Sequence, residues 1–130
     1  MANELILIVE DDDNSRKLLR DLLAFHGYGT LECGSGEESV KLALKFRPAL
    51  ILMDIHLPGI SGIEALHQLR EQPATCIIPV IAVTASVLPG ERSQVLGAGF
   101  DGYQRKPISS REIVAAVRRA LDRPTGTSGA

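Results

Sequence analysis

Residues 50–59 read LILMDIHLPG, which is four apolar residues, an aspartate and a loop-forming stretch with proline and glycine. A short apolar run bounded by turn residues is typical of a buried strand. We therefore expect Asp54 to lie where such a strand opens into a loop. Residues 5–9, LILIV, likewise precede the acids EDDD at 10–13, and residues 80–83, VIAV, precede Thr84. If these strands are parallel, their polar ends meet at one edge of a sheet.

Helical segments of about a dozen residues separate the apolar runs, an alternation that is typical of βαβ units with a parallel sheet. Five strands and five helices predict an α/β fold, a three-layer α/β/α sandwich whose crossovers are right-handed. The strands are expected at residues 5–9, 29–32, 50–53, 80–83 and in the segment 102–104. The helices are expected from near Asn14 to before Gly27, from Ser35 to near Arg47, and over 63–70, 88–98 and 109–121.

Apolar residues at helical spacing predict which helix faces are buried. In the first helix the stripe is Ser15, Leu19, Leu22 and Phe25, widened by Leu18 and Leu23; the third helix offers Ile63, Leu66 and Leu69, and the last Ile113, Val117 and Leu121 with Val114 and Ala120. Ser35–Glu38 and Ser109–Glu112 have the spacing of capping boxes. The segment 88–98 contains Gly90 and Gly97, which disfavour a helix interior, so we expect a marginally stable, mobile helix there.

The length, composition and net charge of the chain favour a single cytoplasmic domain. The chain has 130 residues, of which 45% are hydrophobic and 23% charged, and its net charge of -2 lacks the basic excess of a nucleic-acid binder. No apolar stretch approaches the roughly 20 residues of a membrane span, and Cys33 and Cys76 are expected to be reduced thiols. We expect a domain over residues 1–122 and a disordered tail over 123–130, with no room for an output domain.

The residues expected at the sheet edge suit a divalent cation beside a carboxylate that can be phosphorylated. Mg²⁺ prefers oxygen ligands, and Glu10, Asp11 and Asp54 can supply them. Lys106 adds a positive charge that can face a phosphoryl group. Asp12 and Asp13 are expected to serve the start of the first helix, where acids are favoured, although the direct metal ligand could shift by one residue. The three histidines share no ligand spacing and are expected at the surface.

The sequence resembles the receiver domain of two-component response regulators from about Leu5 to Leu121. The resemblance rests on the acids after the first strand, on MDIHLPGISG at 53–62, on Thr84-Ala85 and on Lys106-Pro107. It implies the flavodoxin-like receiver fold, with a five-stranded parallel sheet in the order 2-1-3-4-5. A narrower likeness is to single-domain regulators of the cell-cycle, polarity or chemotaxis type.

Carried to this chain, the resemblance implies that Asp54 is the phosphoacceptor. It also implies that Mg²⁺ is bound by Asp11 directly, by Glu10 through water, by Asp54 and by the backbone carbonyl of His56. Thr84 and Lys106 would bind phosphoryl oxygens, Tyr103 would change orientation with phosphorylation, and the Lys106-Pro107 bond would be cis.

The partners implied are a histidine kinase or histidine phosphotransfer protein and a downstream target protein. The target would bind the surface of the fourth helix, fifth strand and fifth helix. Neither nucleic acid nor membrane is implied, and the chain would be a monomer or weak dimer. It would not be an enzyme beyond its own phosphorylation and slow dephosphorylation.

Two other functions stay open at this point. One is a phosphatase or phosphotransferase with Asp54 as nucleophile, although His56 stands where such enzymes usually place a second acid. The other is a flavodoxin-like cofactor carrier, although acids replace the phosphate-binding loop after the first strand.

Tyr103 could equally be a switch residue or an edge-strand packing residue.

Overall fold

The computed structural model describes residues 4–85 and 88–122. Its sheet has five strands: β1 Leu5–Val9, β2 Gly29–Cys33, β3 Leu50–Asp54, β4 Val80–Thr84 and β5 Gly102–Arg105. They pair in parallel in the order β2-β1-β3-β4-β5, which confirms the predicted topology. The predicted tail 123–130 lies outside the described residues.

Five helices cover the two faces of the sheet: α1 Asp13–Phe25, α2 Gly36–Phe46, α3 Gly62–Arg70, α4 Glu91–Gly97 and α5 Ser110–Asp122. Successive residues of a strand point to opposite faces, so the sheet has two cores. Leu7 and Val9 pack on the side of α2, α3 and α4, whereas Ile6 and Ile8 pack on the side of α1 and α5. This is the predicted three-layer sandwich. Among the described residues no helix is long and apolar enough to cross a bilayer.

The predicted buried face of α1 is partly wrong. Leu19 and Leu23 are buried, but Phe25 is 84% exposed and Leu18 is 48% exposed. Successive helical residues turn by about 100°, so Phe25 lies on the far side of the helix from Leu23. The core-facing stripe therefore follows Leu19 and Leu23. In α3 and α5 the predicted faces are buried, with Ile63, Ala120 and Leu121 only partly covered.

Helix α4 is shorter than predicted. It begins at Glu91, not at Leu88, because Gly90 has the left-handed φ of 83° and stands outside the helix as its N-cap, without a side-chain cap. Its apolar contribution to the core is Val95, whereas Leu88 and Leu96 are exposed.

The predicted capping boxes are each half-formed. Ser35 Oγ accepts from the Glu38 amide, but Glu38 returns its bond to the Gly34 amide. Ser109 Oγ accepts from the Glu112 amide. A complete box, with both bonds, forms instead at Ser61 and Glu64 and begins α3. Cys33 and Cys76 form no disulfide with each other, and Cys33 is buried.

Candidate functional site

The carboxyl ends of four strands bring the candidate residues to one edge of the sheet. Glu10 follows β1, Asp54 ends β3, Thr84 ends β4 and Lys106 follows β5. In the ladders Val9 pairs with Met53, Asp54 with Val83 and Thr84 with Arg105, so these ends lie level with one another. The site sits beside β1 and β3, where the strand order reverses, which is the expected place for a ligand in such a sheet.

Lys106 lies between two buried carboxylates. Its Nζ is 2.7 Å from Glu10 Oε1 and 3.3 Å from Asp54 Oδ2, and the side chains of Lys106, Glu10 and Asp54 are 17%, 2% and 7% exposed. Burial alone would lower the pKa of Lys106, but the two carboxylates outweigh it and raise that pKa. Lys106 therefore stays charged and faces Asp54. Its peptide bond to Pro107 is cis, as the resemblance implied.

Glu10 is held in an environment that disfavours its negative charge. Burial raises its pKa, the nearby charge of Asp54 raises it further, and Lys106 opposes both. Oε2 accepts a hydrogen bond from the Asp12 amide at 3.1 Å. Oε1 is buried and forms an ion pair with Lys106 Nζ at 2.7 Å, with no further hydrogen-bond partner among the described residues. A buried carboxylate oxygen in this state is suited to a cation.

Glu10, Asp11 and Asp54 form the candidate metal group. Each offers a carboxylate oxygen, and these oxygens lie within 4.8 Å of one another. Glu10 and Asp54 are buried and Asp11 is exposed, so three acidic oxygens at the edge of the sheet fit a hard cation such as Mg²⁺, which binds few protein ligands and keeps several waters. No histidine among the described residues joins this group.

Asp12 and Asp13 serve the start of α1, as expected. Asp12 is the N-cap and accepts from the Ser15 amide at 2.8 Å. Asp13 lies in the first turn and pairs with Arg16.

The loop after β3 is fixed around the Asp54 side chain and backbone. The His56 amide donates to Asp54 Oδ1 at 3.0 Å. The Gly62 amide donates to the Ile55 carbonyl at 2.9 Å. A Cβ atom on Gly62 would stand 2.4 Å from the Asp54 carbonyl oxygen, so this close approach requires glycine. The role of Gly62 was not predicted. The backbone that it contacts belongs to Asp54 and Ile55, and nothing in the residues next to Gly62 indicates that contact.

Thr84 and Tyr103 lie on neighbouring strands. Thr84 is fully buried, and its backbone carbonyl accepts from the Lys106 amide at 2.8 Å. Tyr103 pairs with Ala82, two residues before Thr84, so it is a diagonal neighbour of Thr84 on one face of the sheet. This placement fits both interpretations of Tyr103, as a switch and as a packing residue.

Glu91, in the first turn of α4, contacts both the β3–α3 loop and β5. Its Oε1 accepts from the Tyr103 hydroxyl at 3.1 Å, and its Oε2 lies 3.0 Å from His56 Nε2. Sequence reasoning missed Glu91. An acid at the start of a helix is ordinarily explained by the helix dipole, and nothing local marks this one as buried.

Comparison with known proteins agrees with this geometry. Residues 6–118 match the model of the response regulator receiver domain family. The polar-differentiation response regulator DivK of Brucella anthropi is 40% identical over 116 residues, which are 89% of this chain and 94% of that protein.

Two solved structures extend the likeness. One is the receiver domain of a sensor histidine kinase from Pseudomonas aeruginosa with a magnesium ion in its active-site cleft. It is 32% identical, with a TM-score of 0.85, and the match covers 92% of this chain and 98% of that one. The other is the signal receiver domain of a histidine kinase from Syntrophus aciditrophicus, 31% identical with a TM-score of 0.84, covering 95% and 96%. With its fold, its acidic rim and these relatives, the chain belongs to the response regulator receiver domain family.

Proposed function

We propose that this chain is a phosphorylation-controlled signalling switch. Asp54 accepts a phosphoryl group from a histidine kinase or a histidine phosphotransfer protein, with Mg²⁺ bound by Glu10, Asp11, Asp54 and the His56 carbonyl. The observation that carries the proposal is the arrangement of Lys106 3.3 Å from Asp54 Oδ2, beside a group of three acids whose oxygens lie within 4.8 Å.

The chain's own groups suit the transfer step. In that step the donor's N–P bond breaks, the imidazole nitrogen keeps the electron pair, and a carboxylate oxygen of Asp54 forms the new O–P bond. Mg²⁺, when bound, neutralises charge on the phosphoryl oxygens. Lys106 is already directed at Asp54 and supplies a second positive charge. The His56 amide holds Asp54 Oδ1, which leaves Oδ2 on the side of Lys106 as the attacking oxygen.

The added group would change the neighbouring surface. A phosphoryl group brings roughly -1.5 to -2 charges and new acceptor oxygens. Thr84 at the end of β4 would move to donate to one of them, and Tyr103, its diagonal neighbour, would turn into the space released. Because Tyr103 contacts Glu91, that turn would reach α4.

The α4–β5–α5 surface is proposed to bind the target protein. Next to Tyr103 it has grooves lined by Arg92, Gln104, Arg105 and Arg119. The match to the DivK relative covers 94% of that protein, which supports a regulator of the single-domain kind. We propose further that the chain acts in the cytoplasm as a monomer or weak dimer, binds no nucleic acid, and is not an enzyme beyond its own phosphorylation and slow dephosphorylation.

A pull-down with wild type and Asp54→Asn, each with and without acetyl phosphate and Mg²⁺, tests the proposal. Partner proteins should differ between treated and untreated wild type and should not differ for Asp54→Asn. Identical partners in all four samples would contradict it. Turnover of an external phosphate ester much faster than loss of the protein's own phosphoryl group would favour a phosphatase instead.

A further inference from the structure

The first turn of α4 holds both ends of the Tyr103 side chain. Glu91 accepts from its hydroxyl at 3.1 Å, and the guanidinium carbon of Arg92 lies 5.7 Å from the centre of its ring. A guanidinium at this distance is attracted to the face of an aromatic ring. Two adjacent residues of one short helix therefore fix the orientation of an aromatic residue of β5.

Glu91 also joins α4 to the loop that follows the phosphoacceptor. Its Oε2 lies 3.0 Å from His56 Nε2, and the His56 amide donates to Asp54 Oδ1. One carboxylate thus connects the Asp54 loop, α4 and β5.

Burial makes these contacts consequential. The Glu91 side chain is only 8% exposed, and a carboxylate removed from water depends on its hydrogen bonds. Burial, and then the bond to Glu91, raises the pKa of the Tyr103 hydroxyl, which remains a donor. His56 is 58% exposed, so water competes for its contact with Glu91. Helix α4 is seven residues long, and its N-cap, Gly90, offers no side chain to cap the first turn.

We infer that Glu91 is a latch that stabilises the unphosphorylated arrangement, an inference that rests on the proposed turning of Tyr103. While Tyr103 donates to Glu91, the first turn of α4 is held against β5 and the Asp54 loop. When Tyr103 turns towards Thr84, that hydrogen bond breaks. The free energy of that hydrogen bond opposes the switch to the phosphorylated arrangement. Removing the bond therefore raises the population of the switched state. By linkage, any ligand that prefers the switched state then binds more tightly.

The test measures the affinity of the full chain for beryllofluoride, a phosphoryl mimic, with Mg²⁺ by NMR titration. Glu91→Ala removes the carboxylate, and Tyr103→Phe keeps the ring but removes the donor. Each should bind beryllofluoride about tenfold more tightly than wild type, the factor that corresponds to about 1.4 kcal/mol, in the range of one hydrogen bond. The double variant should bind no more tightly than either single one, because both changes break the same bond.

Gln94→Ala is the matched control, since Gln94 is an exposed residue of the same helix, and its affinity should equal that of wild type. Before beryllofluoride is added, the β5 amide signals of Glu91→Ala should already be displaced towards the bound positions of wild type. Equal or weaker binding by both Glu91→Ala and Tyr103→Phe, with wild type responding normally, overturns the latch alone. A wild type that does not respond to beryllofluoride overturns the proposed function, and the latch with it.

Discussion

Replacement of Lys106 by methionine tests the electrostatics of the site most severely. Methionine keeps an unbranched chain but removes the ammonium group that lies 2.7 Å from Glu10 and 3.3 Å from Asp54. Both carboxylates are almost fully buried, so the substitution leaves two negative charges close together without the cation that now offsets them.

The expected cost is large. Removing one partner of a buried ion pair typically destabilises a protein by about 3–5 kcal/mol. Because Lys106 itself is slightly exposed, we expect the lower end, about 3 kcal/mol at neutral pH without metal. Mg²⁺ should restore part of this loss, since a cation bound to the same carboxylates replaces the missing charge and stabilises the folded state by mass action.

Urea unfolding with and without Mg²⁺ measures both effects. Lys17→Met is the matched control: Lys17 contacts Asp21 at 2.6 Å, but both side chains are more than half exposed, so its loss should be slight and independent of Mg²⁺. The reasoning is refuted if Lys106→Met loses no more stability than Lys17→Met, or if Mg²⁺ stabilises Lys106→Met no more than wild type.

Three further outcomes are expected. Burial beside Asp54 raises the pKa of Glu10 above 4.5, so without metal its contribution to stability is complete below about pH 4.5 and is lost as the pH rises through the raised pKa. The free energy of unfolding of Glu10→Gln, measured with urea, should therefore rise relative to that of wild type from pH 4.5 towards neutrality. A difference between the two proteins that does not change with pH would count against this. Gly62→Ala should lower the free energy of unfolding by about 1–3 kcal/mol, because the added Cβ clashes with the Asp54 carbonyl. Gly97→Ala, whose Cβ meets open space in a helix, should raise it by up to about 1 kcal/mol. Equal effects of the two substitutions would contradict the packing argument. Amide hydrogen exchange should show weaker protection in α4 than in α5 before phosphorylation, and equal protection would refute the predicted mobility of α4.

The sheet and most of the site could be predicted because their signals are local. A short apolar run that ends in an acid identifies a buried parallel strand and also the edge where its acid lies. Glu10, Asp54 and Thr84 each follow or end an apolar run, so a parallel sheet brings them together whatever the details of the helices. The strand before Lys106 reads GYQR, so the role of Lys106 came from the resemblance of Lys106-Pro107 to the family motif.

The predictions failed where contacts between residues distant in the sequence determine the structure. Helix α1 has apolar residues around more than one face, so its own pattern could not show that Leu19 and Leu23, not Phe25, meet the sheet. Glu91 is buried by contacts with residues 35 and 12 positions away, which no local pattern indicates. The start of α4 depends on the left-handed conformation of Gly90, one of two conformations that glycine adopts with equal ease.

Intact-mass spectrometry after incubation with acetyl phosphate tests the central claim most directly. Wild type should gain the mass of one phosphoryl group when Mg²⁺ is present and should gain nothing when the metal is chelated. Asp54→Asn should remain unmodified under both conditions. A wild type that never shows the Mg²⁺-dependent adduct, or an Asp54→Asn variant that still does, would contradict the account.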